Sequence, residues 1–108
     1  MRRGTTPTLT ITLTNADGTA CDLTTAENYV TFSEVGTSYE FTKENEDLAI
    51  STSGLATVIG VTLTQEETLG FKANHVVQVQ VRSKIGDVAI ASEVAKFNVG
   101  EILLEGEI

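Results

Sequence analysis

Residues 8–14 alternate strictly between threonine and an aliphatic residue, and this pattern constrains the fold more than any other part of the sequence. Successive side chains of a β-strand point to opposite faces, so Leu9, Ile11 and Leu13 share one face and the threonines share the other. The segment therefore predicts a half-buried strand. The next residues, Asn15–Gly18, are typical of a turn.

The same alternation predicts further short strands along most of the chain. Residues 75–83 give the second strong pattern, in which valines occupy the inner face. Residues 29–34 and 38–42 are expected to pair as a hairpin, and the other predicted strands are 48–50, 55–63, 88–91 and 94–99. Their inner faces predict one core between two sheets, made of Leu9, Ile11, Leu13, Phe32, Ile59, Val61, Val77, Val79, Val81 and Phe97.

One short helical turn is expected between the strands. In Thr64-Gln65-Glu66-Glu67 the threonine side chain can accept from the Glu67 amide while the glutamate reaches back, which is a capping box. The turn would run through Leu69 and end at Gly70, and Phe71 would enter the core. The segment 21–28 is ambiguous, because its residues 24–27 could cap a second short helical turn.

Together these elements predict an all-β fold: an antiparallel β-sandwich, immunoglobulin-like, of seven to eight strands with one short helical turn. A small barrel is the alternative. A chain of 108 residues has room for one domain. We place this domain at residues 8–108, preceded by an N-terminal arm at residues 1–7, where Pro7 cannot donate to a strand ladder.

The charge balance excludes several classes of partner. Seven basic and fifteen acidic residues give a net charge of -8, which disfavours nucleic-acid binding because phosphate neutralisation needs a basic face. The apolar runs are too short for a transmembrane helix, and no apolar stretch follows Arg2 and Arg3 as it would in a secretory signal. We therefore expect neither a nucleic-acid nor a membrane partner.

The sequence offers few residues for catalysis or metal binding. It has one Cys, Cys21, and one His, His75, so disulfides within the chain, Cys-based zinc sites and His clusters are excluded. Glu44, Glu46 and Asp47 could bind calcium, but they lack the spacing of a calcium loop and are expected to form a solvated acidic loop. We predict no catalytic, cofactor-binding or metal-binding residue, and the protein is not expected to be an enzyme.

The two ends of the sequence carry the candidate interaction residues. Arg2 and Arg3 precede a very acidic domain and are expected to contact an acidic surface, such as that of a neighbouring copy, through a flexible or partner-ordered arm; a simple disordered terminus is the alternative. At the other end, a group of apolar residues is interrupted by the acidic residues Glu101, Glu105 and Glu107. This segment either adds a last strand to its own sheet or docks on another chain. Its apolar residues are Ile102, Leu103, Leu104 and Ile108.

Three phrases give the chain a resemblance to a known family. They are the opening Met1–Thr8 (Met-Arg-Arg-Gly-Thr-Thr-Pro-Thr), the phrase Leu63–Phe71 with its Leu-Thr-Gln-Glu-Glu-Thr-Leu, and the strand Val77–Arg82. The chain resembles short proteins encoded in prophages of Gram-positive, often gut, bacteria, which also end in a short apolar and acidic tail. The resemblance covers nearly the whole chain, and its opening phrase is the most specific part. The segment Asn15–Asn28 is longer here than in the usual member.

The resemblance implies a virion structural or assembly component without assigned functional residues. Its partners would be other phage structural proteins or copies of itself, with a homo-oligomer or docking on a larger assembly expected. Its location would be the virion, and the host cytoplasm before assembly. The alternative is a carbohydrate- or ligand-binding sandwich involved in host adsorption, for which Tyr29 and Tyr39 are the candidate exposed aromatic residues.

Overall fold

The computed structural model describes residues 1–92 and 95–100. This part of the chain forms eight strands, a single 3₁₀ turn over Asn45–Asp47 and one helix, α1, over Gln65–Leu69. The strands are β1 (Thr8–Leu13), β2 (Glu27–Glu34), β3 (Glu40–Glu44), β4 (Leu48–Ser53), β5 (Ala56–Thr62), β6 (Val76–Ile85), β7 (Val88–Ala91) and β8 (Ala95–Asn98).

The strands form two antiparallel sheets rather than a closed barrel. The first sheet has three strands in the order β1-β5-β4, and the second has five, in the order β3-β2-β6 with β7 and β8 both paired to β6. In the first sheet Ile59 of β5 lies between Ile11 of β1 and Ile50 of β4, and in the second Phe32 of β2 lies opposite Val79 of β6. The mostly β fold with two antiparallel sheets and one short helix is therefore confirmed.

β7 and β8 occupy successive parts of the same edge of β6. β7 pairs with the segment Arg82–Ile85, and β8 pairs with the segment Val76–Val79. Between the two segments, Ser92 donates its backbone N–H to the Val81 carbonyl (2.8 Å), and its hydroxyl accepts from the Val81 N–H (3.0 Å). The side chain of Ser92 thus replaces a ladder hydrogen bond where the edge changes from β7 to β8.

The core lies between the two sheets. Six of the ten predicted core residues are buried: Phe32, Ile59, Val61, Val77, Val79 and Val81. Leu9, Ile11, Leu13 and Phe97 are only partly buried, although they pack against the same cluster. Four further residues complete the buried cluster: Val30, Leu63, Phe71 and Val99.

Aromatic rings close the core near α1. Phe32 and Phe41 stack with 5.0 Å between ring centroids, and Tyr39 meets Phe71 edge-on at 5.2 Å. The Tyr39 hydroxyl donates to the Glu67 carbonyl at 2.9 Å, so its polar end is satisfied while its ring is packed. Phe71 enters the core as predicted and is fully buried.

The predicted capping box of α1 is present. The Thr64 hydroxyl accepts from the Glu67 N–H at 3.1 Å, and the Glu67 carboxylate accepts from the Thr64 N–H at 2.8 Å. Gly70 follows the helix, but with φ −66° it is not the left-handed glycine that usually ends a helix. A Cβ at this position would lie 2.2 Å from the Tyr39 ring. Glycine is thus required at position 70 by the close approach of Tyr39.

Several expected local structures differ from the observed ones. β4 continues to Ser53, three residues beyond the predicted strand 48–50, and β6 continues to Ile85, two residues beyond the predicted strand 75–83. The residues around Thr24 form a turn rather than a helix, because Asp22 accepts both the backbone N–H and the hydroxyl of Thr24 and the Asn28 amide donates to the Leu23 and Ala26 carbonyls. β3 begins two residues later than predicted. The Glu34 N–H donates to the Tyr39 carbonyl, and the residues between these two belong to the turn that joins β2 and β3.

Candidate functional site

Residues 1–7, expected to form an arm, contact their own domain. The Arg3 guanidinium donates to the carbonyls of Leu69 (3.0 Å), the last residue of α1, and Phe71 (2.6 Å), two residues further on. Farther along, the Thr68 hydroxyl donates to the Thr5 carbonyl and the Leu63 N–H to the Pro7 carbonyl. The segment is therefore docked on α1 and does not form a free arm. The carbonyls at the end of a helix have no partner within the helix, so they are good acceptors for the Arg3 guanidinium.

The candidate interaction residues fall into two groups in the structure. Arg3 is partly buried in the contacts just described, whereas Arg2 is exposed and forms a parallel bridge with Gly100. The contact of Arg2 and Arg3 with a partner stays a prediction. The apolar candidates Ile102, Leu103, Leu104 and Ile108 lie outside the described residues.

Among the residues that the structure describes, the most deeply buried charged group is the carboxylate of Glu34, at the end of β2. Its side chain is 1% exposed and lies beside the only histidine, with 3.6 Å between the Glu34 Oε1 and the His75 Nδ1. Oε2 accepts from the Lys72 N–H at 2.7 Å, and Oε1 accepts from the Thr37 hydroxyl at 3.0 Å. The carboxylate therefore joins the β2–β3 turn to the segment before β6, which is a structural role.

The segment around the 3₁₀ turn, expected to be a solvated acidic loop, is partly built into the fold. Lys43 lies on β3 and pairs with Glu67 at 2.7 Å, and the Asn45 side chain bonds the Asn28 N–H and the Ala26 carbonyl. Burial pushes the pKa of Glu67 upwards, but hydrogen bonds from Lys43 and Thr64 outweigh it and hold the pKa below its ordinary value. Within residues 1–92 and 95–100, no group of three metal-ligating side chains comes together.

The two tyrosines do not form a common exposed surface. Tyr39 packs on Phe71 and Phe41 and bonds the α1 backbone. Burial, followed by the nearby carboxylates of Glu67, Glu66 and Glu34, raises the pKa of the Tyr39 hydroxyl. Tyr29 lies on β2 opposite Arg82, on the outer face of the larger sheet. An aromatic platform made of both rings is therefore not present.

A cleft lies between the two sheets, and we refer to it as the side cleft. It has a volume of about 810 Å³ and lies where β1, at one edge of the smaller sheet, faces β7 and β8, at one edge of the larger sheet. Its apolar walls include the partly buried side chains of β1 and of β8. The lining from the two sheets includes Leu9, Ile11 and Leu13 on one side and Val79, Val81, Ile90 and Phe97 on the other.

The hairpin of β6 and β7 extends the apolar wall of the side cleft. Ile85 and Val88 pair with each other beside Gly86, whose φ of +57° allows the tight turn. Ile85, Val88 and Ile90 are 46%, 65% and 46% exposed. Three of the five exposed large hydrophobic residues in the described chain therefore lie on one hairpin, at the end of one cleft.

The outer faces of the two sheets differ in charge. The pairing register places Thr8, Thr10 and Thr12 of β1 on the outer face of the smaller sheet, beside Gly60 and other small or aliphatic residues of β5 and β4. None of the outward-facing residues of these three strands is charged. The outer face of the larger sheet carries charges on four of its five strands: Glu27, Glu40, Glu44, Arg82, Lys84 and Lys96.

Sequence inspection pointed to the two ends of the chain and missed the side cleft. The missed signal is in β7, whose sequence Val-Ala-Ile-Ala contains no polar residue, although all four residues are exposed. A strand without alternation is expected to be covered on both faces. In β7 the pattern signalled an apolar surface that the described chain leaves open.

Comparison with known proteins identifies no relative. No protein-family model matches the chain, and neither a curated protein nor a solved structure is significantly similar to it. Among the residues that the structure describes, no helix is long and apolar enough to cross a membrane.

Proposed function

We propose that this protein is a structural or assembly component of a phage virion that acts through protein–protein contacts. The observation that carries the proposal is the side cleft, which combines strand edges with aliphatic walls. Such a cleft suits an extended polypeptide, because main-chain hydrogen bonds provide affinity and alternating side chains provide specificity. The resemblance of the opening Met1–Thr8 to prophage proteins supplies the context, with the virion as the final location and the host cytoplasm as the site before assembly.

The proposed role involves no catalysis. Glu34 lies beside His75, the residue type that most often transfers protons in catalysis, but both Glu34 oxygens accept hydrogen bonds from the chain itself. Cys21 is buried, and its carbonyl and N–H bond Thr57 and Leu55. These contacts favour structural roles for the residues that could otherwise serve as base or nucleophile.

The proposal includes an immunoglobulin-like topology in which the described residues provide no counterpart of the first strand. In an immunoglobulin domain the second, fifth and fourth strands are neighbours in one sheet, and the third, sixth and seventh form the other. The order β1-β5-β4 corresponds to the first of these arrangements, and β2-β6 followed by the β7–β8 edge corresponds to the second. In this comparison β3 is the additional edge strand of variable-type domains. The missing strand would lie beside β1, where the side cleft is open.

A ligand-binding module for host adsorption is the second candidate. The volume of the side cleft, about 810 Å³, lies within the range of about 300–1,000 Å³ typical of small-molecule sites. Its aliphatic walls favour an apolar ligand over a sugar, and Tyr39 is committed to the core instead of a sugar platform. The cleft thus supports this candidate only for an apolar ligand.

Mass spectrometry of purified particles tests the leading proposal. Particles of a phage that encodes this protein should contain the 11.5 kDa chain in a fixed ratio to the major capsid or tail protein. Detection only in the soluble fraction of lysed cells would contradict the proposal. The ligand-binding candidate predicts instead a monomer whose melting temperature rises with a ligand, so thermal shifts with glycans, calcium and medium-chain fatty acids complete the test.

A further inference from the structure

The side cleft defines the pattern of a segment that could fill it. The outer edge of β1 pairs with no other strand in the described part of the chain. A strand added there would form main-chain hydrogen bonds with β1 and direct every second side chain between the sheets. Its other side chains would lie beside Thr8, Thr10 and Thr12 on the uncharged outer face. The cleft therefore requires an alternating segment with one apolar face.

The sequence of residues 101–108, which lie outside the described residues, has this alternation. Its even positions are apolar or glycine, and three of its four odd positions are glutamate. At about 3.3 Å per residue, eight residues extend about 26 Å, compared with about 20 Å for the six residues of β1. The even positions are Ile102, Leu104, Gly106 and Ile108, and the odd positions are Glu101, Leu103, Glu105 and Glu107.

We propose that residues 102–108 of one copy enter the side cleft of a second copy as an additional strand beside β1. The proposal rests on the proposed structural function and names its partner as another copy of this chain. Ile102, Leu104 and Ile108 would cover the exposed aliphatic wall of the cleft. The glutamates would lie on the outer face among threonine hydroxyls, which can donate to carboxylates.

Charge selects this edge over the opposite one. β3, at the far edge of the larger sheet, directs Glu40 and Glu44 outward, and like charges on adjacent strands repel. The outward residues of β1 are all threonine, so a strand with several glutamates meets no acidic neighbour there. An acidic segment is thus compatible with β1 and disfavoured beside β3.

The position of Gly100 favours a second copy over the same copy. β8 runs towards the end of the domain where α1 lies, and Gly100 donates to the Met1 carbonyl while accepting from the Arg3 N–H. To enter its own cleft, the chain would have to reverse immediately after this clamp. Residues 101–105, Glu-Ile-Leu-Leu-Glu, contain none of the residues that favour tight turns. A second copy as the acceptor needs no such reversal.

This exchange makes the contact head-to-tail. The donor surface, residues 102–108, differs from the acceptor surface, the side cleft, so each copy can donate to one neighbour and accept from another. Such heterologous contacts produce rings when the rotation closes and chains when it does not. Association should therefore depend on protein concentration and extend beyond a dimer.

Analytical ultracentrifugation of the purified full chain tests the proposal with two matched pairs of variants. Leu104→Asp places a charge on the face directed into the cleft, whereas Leu103→Asp places the same charge on the opposite face. Ile90→Asp changes the cleft wall, whereas Val35→Asp changes a residue of nearly equal exposure, 46% against 47%, that does not line the cleft.

We expect the unmodified chain, Leu103→Asp and Val35→Asp to associate, and Leu104→Asp and Ile90→Asp to weaken association by at least about tenfold. A mixture of Leu104→Asp and Ile90→Asp should form heterodimers, because it combines one intact donor segment with one intact cleft. Circular dichroism of each variant before mixing verifies that it is folded.

Three results would overturn the proposal. They are a monomeric full chain at millimolar concentration, equal effects of Leu103→Asp and Leu104→Asp, and a mixture that stays monomeric. A monomer whose melting temperature falls only with Leu104→Asp would mean that the segment fills its own cleft. None of these results depends on finding the protein in particles, so the failure of this proposal and that of the virion function are separable.

Discussion

The end of the domain at α1 and the side cleft both contain aliphatic and aromatic residues directed between the sheets, but only the first is closed. At the α1 end, Phe71 is fully buried and packs against Tyr39. Hydrogen bonds of the Arg3 and Glu34 side chains to backbone groups join the surrounding loops. In the side cleft, Ile11 and Ile90 point towards the same core and remain partly exposed. Alternation places side chains on the inner face of a strand, but burial requires an element that covers them.

The largest expected difference between the two regions is in truncations of large side chains. Phe71→Ala should lower the free energy of unfolding by about 3–5 kcal/mol, because it removes a fully buried ring and leaves a cavity. Ile90→Ala, at 46% exposure, should cost less than about 1 kcal/mol in the monomer. Urea unfolding at low protein concentration measures both, and equal losses would show that the side cleft is closed in solution.

The buried carboxylate provides the next test of the closed end. Glu34→Ala should cost about 3 kcal/mol, because it leaves the Lys72 N–H and the Thr37 hydroxyl without their acceptor in a buried site. The matched control is Glu40→Ala, an exposed position on β3, where a change within about 0.5 kcal/mol is expected. If both variants melt at the wild-type temperature, Glu34 does not hold the loops together.

Two glycine-to-alanine substitutions test whether the close approach of a neighbouring side chain is what requires glycine. Gly70→Ala should cost about 2 kcal/mol, because its Cβ would overlap the Tyr39 ring at 2.2 Å. Gly60→Ala should be nearly neutral, since its nearest neighbour, the Ala49 Cβ, lies at an ordinary 3.6 Å. Thermal unfolding compares the two, and the account of Gly70 fails if they are equally tolerated.

The helix cap should have a smaller effect. Thr64→Ala removes the acceptor of the Glu67 N–H and should cost about 1 kcal/mol. Thr64→Asp is the control, because aspartate also accepts this bond and should retain most of the stability. A loss as large for Thr64→Asp as for Thr64→Ala would argue against the cap as the cause.

The smallest expected effect is the pH dependence of the Glu67 contacts. The folded pKa of Glu67 lies below its ordinary value of 4.5, so its stabilising contribution is present above that pH and is lost as the pH falls through the lowered pKa. The stability difference between wild type and Glu67→Gln should therefore shrink between neutral pH and pH 3. Lys43→Met should move the Glu67 pKa upwards in an NMR titration, and no movement would contradict the role of Lys43.

Patterns of neighbouring residues were sufficient for much of the fold. The Thr-Leu-Thr-Ile-Thr-Leu phrase of β1, the valines of β6 and the capping box of α1 specify local structure because each depends on residues at most a few positions apart. The boundaries of β3 could not be predicted in this way. They depend on where the Glu34 N–H meets the Tyr39 carbonyl at the end of the hairpin.

The sequence by itself thus determined the all-β class, the faces of the main strands and the single helical turn. Only the tertiary structure decided which inner faces are covered. Phe71 and Leu9 both lie on apolar faces of the sequence pattern, yet one is fully buried and the other is not. The physical reason is that burial depends on which elements meet across the two sheets. Alternation within a strand shows only which of its side chains share a face, not which strand or loop covers them.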